Sequence, residues 1–138
     1  MAQATMDQDP GLFETGFDVT HSSLAASTTI PAGTLAMNDA GVVKQFTSAG
    51  YVGGAALLGV ACHRMENATA SPLAGKYTFR RGCSTDLEGK AGDLPTAAEV
   101  GKTVYVSDNF TVQKTAIVSG LAVTLVAIKG NVYRVQLP

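Results

Sequence analysis

The stretch TVYVSDNFTVQK, residues 103–114, alternates apolar and polar side chains up to Asp108 and Asn109 and then alternates again. Alternation with a period of two is typical of strands that bury one face, and Asp and Asn favour the tight turn between such strands. The stretch therefore predicts a β-hairpin whose turn lies at residues 108–109.

A second hairpin is predicted in TIPAGTLAMNDAGVVKQF, residues 29–46. Leu35 and Met37 share one face of its first strand, and the turn falls at residues 38–41, where Gly41 suits a positive φ. Further strands are predicted in AALLGVAC (55–62), KYTFRR (76–81), the continuous apolar run 121–128 and NVYRVQLP (131–138). Residues 63–75 and 82–93 are predicted to be polar loops, and residues 94–101 one helical turn. Tyr77 and Phe79 are predicted to share one face of their strand, opposite Thr78 and Arg80. On the last strand, Tyr133, Val135 and Leu137 are predicted to face inward, and Arg134 and Gln136 outward.

A weak internal repeat links the two hairpins. GTLAMNDAGVVKQ begins at residue 33 and superposes on KTVYVSDNFTVQK, which begins 69 residues later, so that Leu35 and Met37 align with Val104 and Val106. GAALLGVA (54–61) likewise resembles GLAVTLVA (120–127). Two hairpin-plus-strand units, 30–62 and 99–128, would then close one sandwich or barrel, and chance similarity between two hairpins is the alternative.

These patterns predict an all-β fold, either a jelly-roll-like β-sandwich or a small barrel, with residues 30–138 as a single β domain. Residues 1–29 show no sustained periodicity, so we predict an extended N-terminal arm that either frays or docks on another surface. Its sparse apolar residues are candidate partner-binding anchors: Leu12, Phe13, Phe17 and Val19. Deleting residues 1–20 is expected to leave the fold intact.

The composition argues against several classes of function. Only 15% of residues are charged, the net charge is -1 and the pI is about 6.0, so the chain lacks the basic footprint of a nucleic-acid-binding protein. The start of the sequence is not that of a signal peptide, and the apolar runs 51–62 and 116–128 are too short to cross a membrane. Cys62 and Cys83 are expected to be reduced thiols, with a single bridge as the alternative.

No group of residues predicts catalysis. His63 follows Cys62 directly, and neighbours on an extended chain point to opposite faces, while His21 lies in the predicted arm. GKT at 101–103 has Thr96 where a phosphate-binding loop requires glycine. We therefore expect a protein that is not an enzyme and needs no cofactor or metal.

Two further groups of charged residues are weaker candidates for ligand binding, and each has an alternative interpretation. The carboxylates Asp86, Glu88 and Asp93 fall in one predicted loop and either recruit a hard cation or form a solvated acidic loop. Arg80 and Arg81 are either a phosphate contact or a solvated strand end.

Four stretches together resemble the small capsid decoration, or cement, proteins of tailed bacteriophages: IPAGTLAMNDAGVV, LLGVA, VGKTVYVSDNFTV and GNVYRVQLP. The resemblance covers about residues 29–138 and rests on structural rather than catalytic motifs. The chain departs from the compact family members in its long N-terminal segment and in the segments 63–75 and 82–93.

The resemblance implies a structural protein of the virion that is assembled in the host cytoplasm and binds the outside of the mature capsid. Its partners would be the major capsid protein and other copies of itself, and neither nucleic acid nor membrane. The alternative is a soluble ligand-binding or carbohydrate-binding β-module of a phage fibre or surface protein. The absence of Trp and the four scattered Tyr weigh against a sugar site, because such sites usually stack a sugar on an exposed aromatic ring.

Overall fold

The computed structural model describes residues 16–138 and is mostly β, which confirms the predicted all-β fold class. The strands, in chain order, are β1 (Phe17–Leu24), β2 (Thr28–Ile30), β3 (Leu35–Asp39), β4 (Val42–Gln45), β5 (Ala56–Ala61), β6 (Met65–Asn67), β7 (Leu73–Arg81), β8 (Ser84–Gly89), β9 (Thr103–Val106), β10 (Thr111–Gln113), β11 (Ala122–Lys129) and β12 (Val132–Gln136). A short helix α1 (Ser48–Val52) follows β4, and a 3-10 turn spans Ala97–Glu99.

Ten of these strands form two closed barrels of five strands each. The first barrel has the strand order β1-β4-β3-β5-β7, and the second has the order β8-β10-β9-β11-β12. β2 and β6 pair separately as a two-stranded sheet. Of the two predicted architectures the structure has the small barrel, but each half of the chain closes a barrel of its own instead of contributing to one.

The two barrels have the same connectivity. In each, the first strand pairs in parallel with the second strand of the hairpin, as β1 does with β4 and β8 with β10. The first strand also pairs antiparallel with the last, as β1 does with β7 and β8 with β12. The structural repeat thus spans residues 17–81 and 84–136, which is wider than the predicted units 30–62 and 99–128.

The predicted alignment of the two hairpins is one residue out of register on the first strand. Val43 pairs with Asn38, whereas its counterpart Val112 pairs with Val106. Asn38 rather than Met37 is therefore the counterpart of Val106. Because successive side chains on a strand point to opposite faces, this shift of one residue exchanges the two faces of β3 relative to β9.

The exchange of faces decides where the core residues of β3 pack. Ala36 lies in the core of the first barrel, together with Leu24, Ile30, Val43, Leu58, Ala61, Met65, Tyr77 and Phe79. Leu35 and Met37 point the other way and join the cluster of the second barrel. That cluster also contains Phe46, Leu57, Cys83, Leu87, Val104, Val106, Val112, Leu121, Val123, Leu125, Tyr133, Val135 and Leu137.

Backbone contacts join the β3–β4 hairpin of the first barrel and the residues that follow it to the second barrel. The Leu35 N–H donates to the carbonyl oxygen of Asn109 at 2.8 Å, and Thr47 forms an isolated bridge with Asp108. Residues 108 and 109 belong to the turn between β9 and β10, so the turn of the opening hairpin lies at the junction of the barrels. The shared cluster and these contacts make the described residues one packed unit.

The predicted boundary at residue 29 differs from the structure. Phe17–Leu24 is a full strand of the first barrel, paired with β7 along its length, and Leu24 is completely buried. Its polar sequence, FDVTHSSL, hides this role because only alternate residues face the barrel interior. Deleting residues 1–20 would therefore remove half of a barrel strand, so we now expect that deletion to destabilise the first barrel.

Two segments predicted to be loops also contain strands. β6 and the start of β7 lie within 63–75, and β8 lies within 82–93. β8 has the sequence STDLEG, in which Leu87 is the one large apolar side chain, and closure of the barrel pairs it with both β10 and β12. The run 121–128, predicted as a continuous apolar strand, has one exposed face that includes Thr124 and Val126.

Both predicted hairpins are confirmed, and their turns have clear causes. In the first, Ala40 and Gly41 have φ values of 54° and 91°, and the Asn38 Oδ1 accepts from the Gly41 N–H at 3.0 Å. In the second, the Asp108 Oδ1 accepts from the Phe110 N–H at 2.9 Å. Side-chain oxygens of Asn and Asp stabilise such turns by replacing a backbone acceptor.

Candidate functional site

The four predicted anchor residues fall into two groups. Leu12 and Phe13 lie outside the described residues. Phe17 is the first residue of β1 and is 53% exposed, so it forms part of the rim of the first barrel. Val19, two residues further along, packs against the core of that barrel opposite Phe79, so its burial contributes to folding.

The structure brings Phe17 together with a residue that the sequence did not single out as its partner. Phe17 is paired across the sheet with Arg81, whose Cζ lies 5.9 Å from the centroid of the Phe17 ring. This distance is within the range of a cation–π interaction. The Arg81 Nη1 donates to the Leu57 carbonyl oxygen at 3.2 Å, which fixes the guanidinium at the rim.

The two consecutive arginines have different roles because they point to opposite faces of β7. Arg80 points outward, where its Nε lies 3.7 Å from the Asp18 Oδ1 and its Nη2 donates to the Gly16 carbonyl oxygen at 3.4 Å. Arg81 points inward, and its Nε is buried with no hydrogen-bond partner among residues 16–138. The sequence treats the pair as one basic feature, whereas strand geometry separates it into an exposed ion pair and a partly buried cation.

The N-terminal segment joins the fold at the junction of the barrels. Gly16 lies so close to the Arg81 carbonyl oxygen that a Cβ at this position would clash with it. The neighbouring Gly82 N–H donates to the Pro138 carbonyl oxygen at 3.2 Å. Gly16, the first described residue, therefore lies next to Arg81 and Cys83, where the chain passes from the first barrel to the second.

The two histidines and Cys62 are engaged in local contacts. The His21 Nδ1 accepts from the Ser23 N–H at 3.1 Å, and the His63 Nδ1 lies 3.2 Å from the Arg64 carbonyl oxygen. Partial burial, and then the negative charge of Asp18, raise the pKa of the Cys62 thiol against the opposing effect of Arg80. A raised pKa keeps a thiol protonated and weakly nucleophilic.

The three carboxylates considered as a cation site do not converge. Asp86 forms a two-pronged ion pair with Arg134, at 2.8 and 3.1 Å. Asp93 accepts from the backbone N–H and the hydroxyl of Thr115, at 3.0 and 2.9 Å. Among residues 16–138 no group of three or more His, Cys, Asp or Glu side chains could hold a metal ion.

One polar groove lies beside the first hairpin. It has a volume of about 530 Å³ and is lined by Ser27, Thr28, Thr29, Met37, Asp39, Lys44, Gln45, Thr47 and Gly50. Among residues 16–138 no aromatic side chain lines it, so this part of the chain gives the groove no stacking surface of the kind typical of sugar sites. A second groove on the outside of the second barrel, of about 430 Å³, is lined by Asp86, Ala127, Ile128, Lys129, Val132 and Arg134.

Comparison of the chain with protein-family models, curated proteins and solved structures finds no match. Within residues 16–138, no helix has the length and apolar character needed to span a bilayer.

Proposed function

We propose that this protein is a structural component of a phage virion that binds the outer surface of the capsid and stabilises it by bridging major capsid subunits. The observation that carries the proposal is Phe17. Its ring is 53% exposed at the rim of the first barrel, where the N-terminal segment with Leu12 and Phe13 is attached. Exposed aromatic residues that enter pockets on a partner supply a large share of the energy in protein interfaces.

The rest of the fold suits a bridging role. Two barrels that share one hydrophobic cluster form one packed body, and barrel closure leaves their ten strands without a free edge for uncontrolled pairing. A net charge of -1 allows many copies to sit close together on a shell with little mutual repulsion. These features support a module whose activity is contact through shape and apolar surface.

The first test is deletion of residues 1–15, which leaves β1 complete. The truncated chain is expected to keep the thermal transition of the full chain and to lose binding to undecorated capsids in a co-sedimentation assay. Phe17→Ala is expected to weaken binding, whereas Val126→Ala, which removes a 45% exposed valine from the second barrel, is the matched control. Wild-type occupancy by the truncated chain would contradict the role of the N-terminal segment.

The second test is salt. Because the proposed contact is mainly apolar and few surface charges are available, occupancy is expected to change little between low and high salt. A steep loss of occupancy with salt would contradict a mainly apolar contact. Light scattering of the free protein would show whether copies also associate with one another before they reach the shell.

The rival function is a ligand-binding module, for which the polar groove beside the first hairpin is one candidate site. A glycan array and a capsid co-sedimentation assay, run on the same preparation, separate the two functions. Retention on glycans with no retention on capsids would replace the proposal.

A further inference from the structure

Arg81 occupies a position that the structural repeat reserves for a core residue. Asp18 and Arg80 form a cross-strand ion pair in the first barrel, and Asp86 and Arg134 form the corresponding pair in the second. The residue that follows the arginine on the last strand is Arg81 in one barrel and Val135 in the other. Val135 is completely buried, so the first barrel has a cation where the second has an apolar side chain.

A guanidinium at such a position needs acceptors, because burying an unpaired cation is costly. Nη1 has the Leu57 carbonyl oxygen, but the buried Nε has no partner among residues 16–138. In the same part of the chain, no carboxylate lies within ion-pair distance of Arg81, although four other Lys or Arg side chains have one. Within residues 16–138 the site thus has a positive charge and a buried donor, Nε, that lacks an acceptor.

We infer that the rim of the first barrel is a carboxylate-binding site, in which Arg81 receives an Asp or Glu side chain of a partner protein. The edge of the guanidinium that remains after Nη1 is bonded carries Nε and Nη2, and this edge matches the two oxygens of a carboxylate. A phosphate suits the site less well, because Arg80 points to the other face and lies near Asp18, which leaves one cation for two negative charges.

Phe17 controls access to this site. The Phe17 ring centroid lies 5.9 Å from the Arg81 Cζ and the residue is 53% exposed, while the Arg81 Nε is buried. A carboxylate reaches Nε when the Phe17 ring turns away from Arg81, as it would on entering an apolar pocket of the partner. The partner surface would therefore carry a carboxylate next to an apolar pocket.

This inference deepens the proposed function, because it states the chemistry of the surface that the protein binds. Its first test is independent of capsids. The Nε–H resonances of the arginines are followed by NMR while sodium acetate is added, with sodium chloride at matched ionic strength as the reference. R81K identifies the Arg81 signal by removing it.

Acetate is expected to shift the Arg81 Nε–H resonance saturably, and chloride is expected to leave it in place. In Phe17→Ala this shift is expected to saturate at a several-fold lower acetate concentration, because the substitution removes the ring that restricts access to Nε. Arg64 is the internal control, since its Nε already donates to Glu66 at 2.6 Å. Equal shifts in acetate and chloride, or equal shifts of Arg64 and Arg81, would overturn the inference.

The second test uses undecorated capsids. R81K is expected to bind about tenfold more weakly than the wild type, because lysine cannot offer the two-pronged edge, whereas R64K is expected to bind normally. If the wild type fails to bind capsids, the proposed function fails, and the acetate titration still decides whether the carboxylate site exists. If capsids bind R81K as well as wild type, the site is not the contact with the shell and the inference is wrong for this partner.

Discussion

Asn67 shows how one side chain ties together distant parts of the first barrel. It is 3% exposed, and its Nδ2 donates to the carbonyl oxygens of Leu24, Ala25 and Ser71 at 3.2, 3.0 and 2.9 Å. Its Oδ1 accepts from the N–H and the hydroxyl of Thr69. The sequence Asn-Ala-Thr resembles a glycosylation site, but the amide nitrogen is fully used inside the fold.

Asn67→Asp is expected to lower the free energy of unfolding by about 3 kcal/mol or more, because it removes the donor and turns a buried carboxylate towards carbonyl oxygens. Urea denaturation measures the change. Asn131→Asp, at an exposed turn position, is the control and should stay within about 0.5 kcal/mol of wild type. A loss at Asn67 no larger than that of the control would mean that the amide contacts contribute little.

In the turn between β3 and β4, substitutions at two adjacent residues are expected to change the stability of the fold in opposite directions. Gly41 has a φ of 91°, and a side chain there would meet open space. Gly41→Ala is therefore expected to lower the free energy of unfolding by about 1–2 kcal/mol through backbone strain alone. Ala40 has a φ of 54°, a conformation that Asn adopts more readily, so Ala40→Asn is expected to stabilise by a few tenths of a kcal/mol or more. Thermal denaturation of both variants checks the signs, and destabilisation by Ala40→Asn would contradict this account of the turn.

At the scale of elements, the 3-10 turn Ala97–Glu99 has a capping box. The Thr96 N–H and hydroxyl both donate to the Glu99 Oε1 at 2.7 Å, and these bonds lower the pKa of Glu99. Because the folded-state pKa is depressed, the stabilisation is present above the pKa of Glu99 in the unfolded chain and is lost as pH falls through its folded value.

Thr96→Ser is expected to keep the depressed pKa of Glu99, and Thr96→Ala is expected to raise it, because only the backbone N–H remains as a donor. Carboxyl carbon shifts followed by NMR against pH measure both variants. The same low pKa in Thr96→Ala as in wild type would show that the hydroxyl contributes nothing.

For the molecule as a whole, the shared cluster predicts cooperative unfolding. Leu35 lies on a strand of the first barrel but is completely buried in the cluster of the second. Leu35→Ala is expected to lower the free energy of unfolding by about 3 kcal/mol and to reduce hydrogen-exchange protection in both barrels alike. Val118→Ala, at an 86% exposed position, is the control. Normal protection of β9 to β12 in Leu35→Ala would mean that the barrels unfold separately.

The repeat also shows how the outer faces of β3 and β9 differ. Leu35 and Met37 form an apolar outer face on β3, but the corresponding residues of β9 are Thr103 and Tyr105, because their strands differ in register by one residue. Thr103 is exposed and Tyr105 half-buried, so the outer face of β9 offers no comparable apolar surface on which a further barrel could pack.

The sequence by itself determined the local structure. Both hairpins, their turns, the common face of Tyr77 and Phe79 and the inward-facing residues Tyr133, Val135 and Leu137 follow from alternation and turn chemistry, which act over a few neighbouring residues. Phe17 was predicted as a candidate anchor because an aromatic residue in a polar segment is conspicuous.

Tertiary structure decided the closure of two barrels, the strand role of the polar segments β1 and β8, and the orientation of Leu35 and Met37 towards the second barrel. It also brought Arg81 and Phe17 together, although 64 positions separate them in the chain. The physical reason is that alternation shows which residues share a face, whereas the surface that covers this face depends on pairing between distant strands. A shift of one residue in that pairing exchanges the two faces.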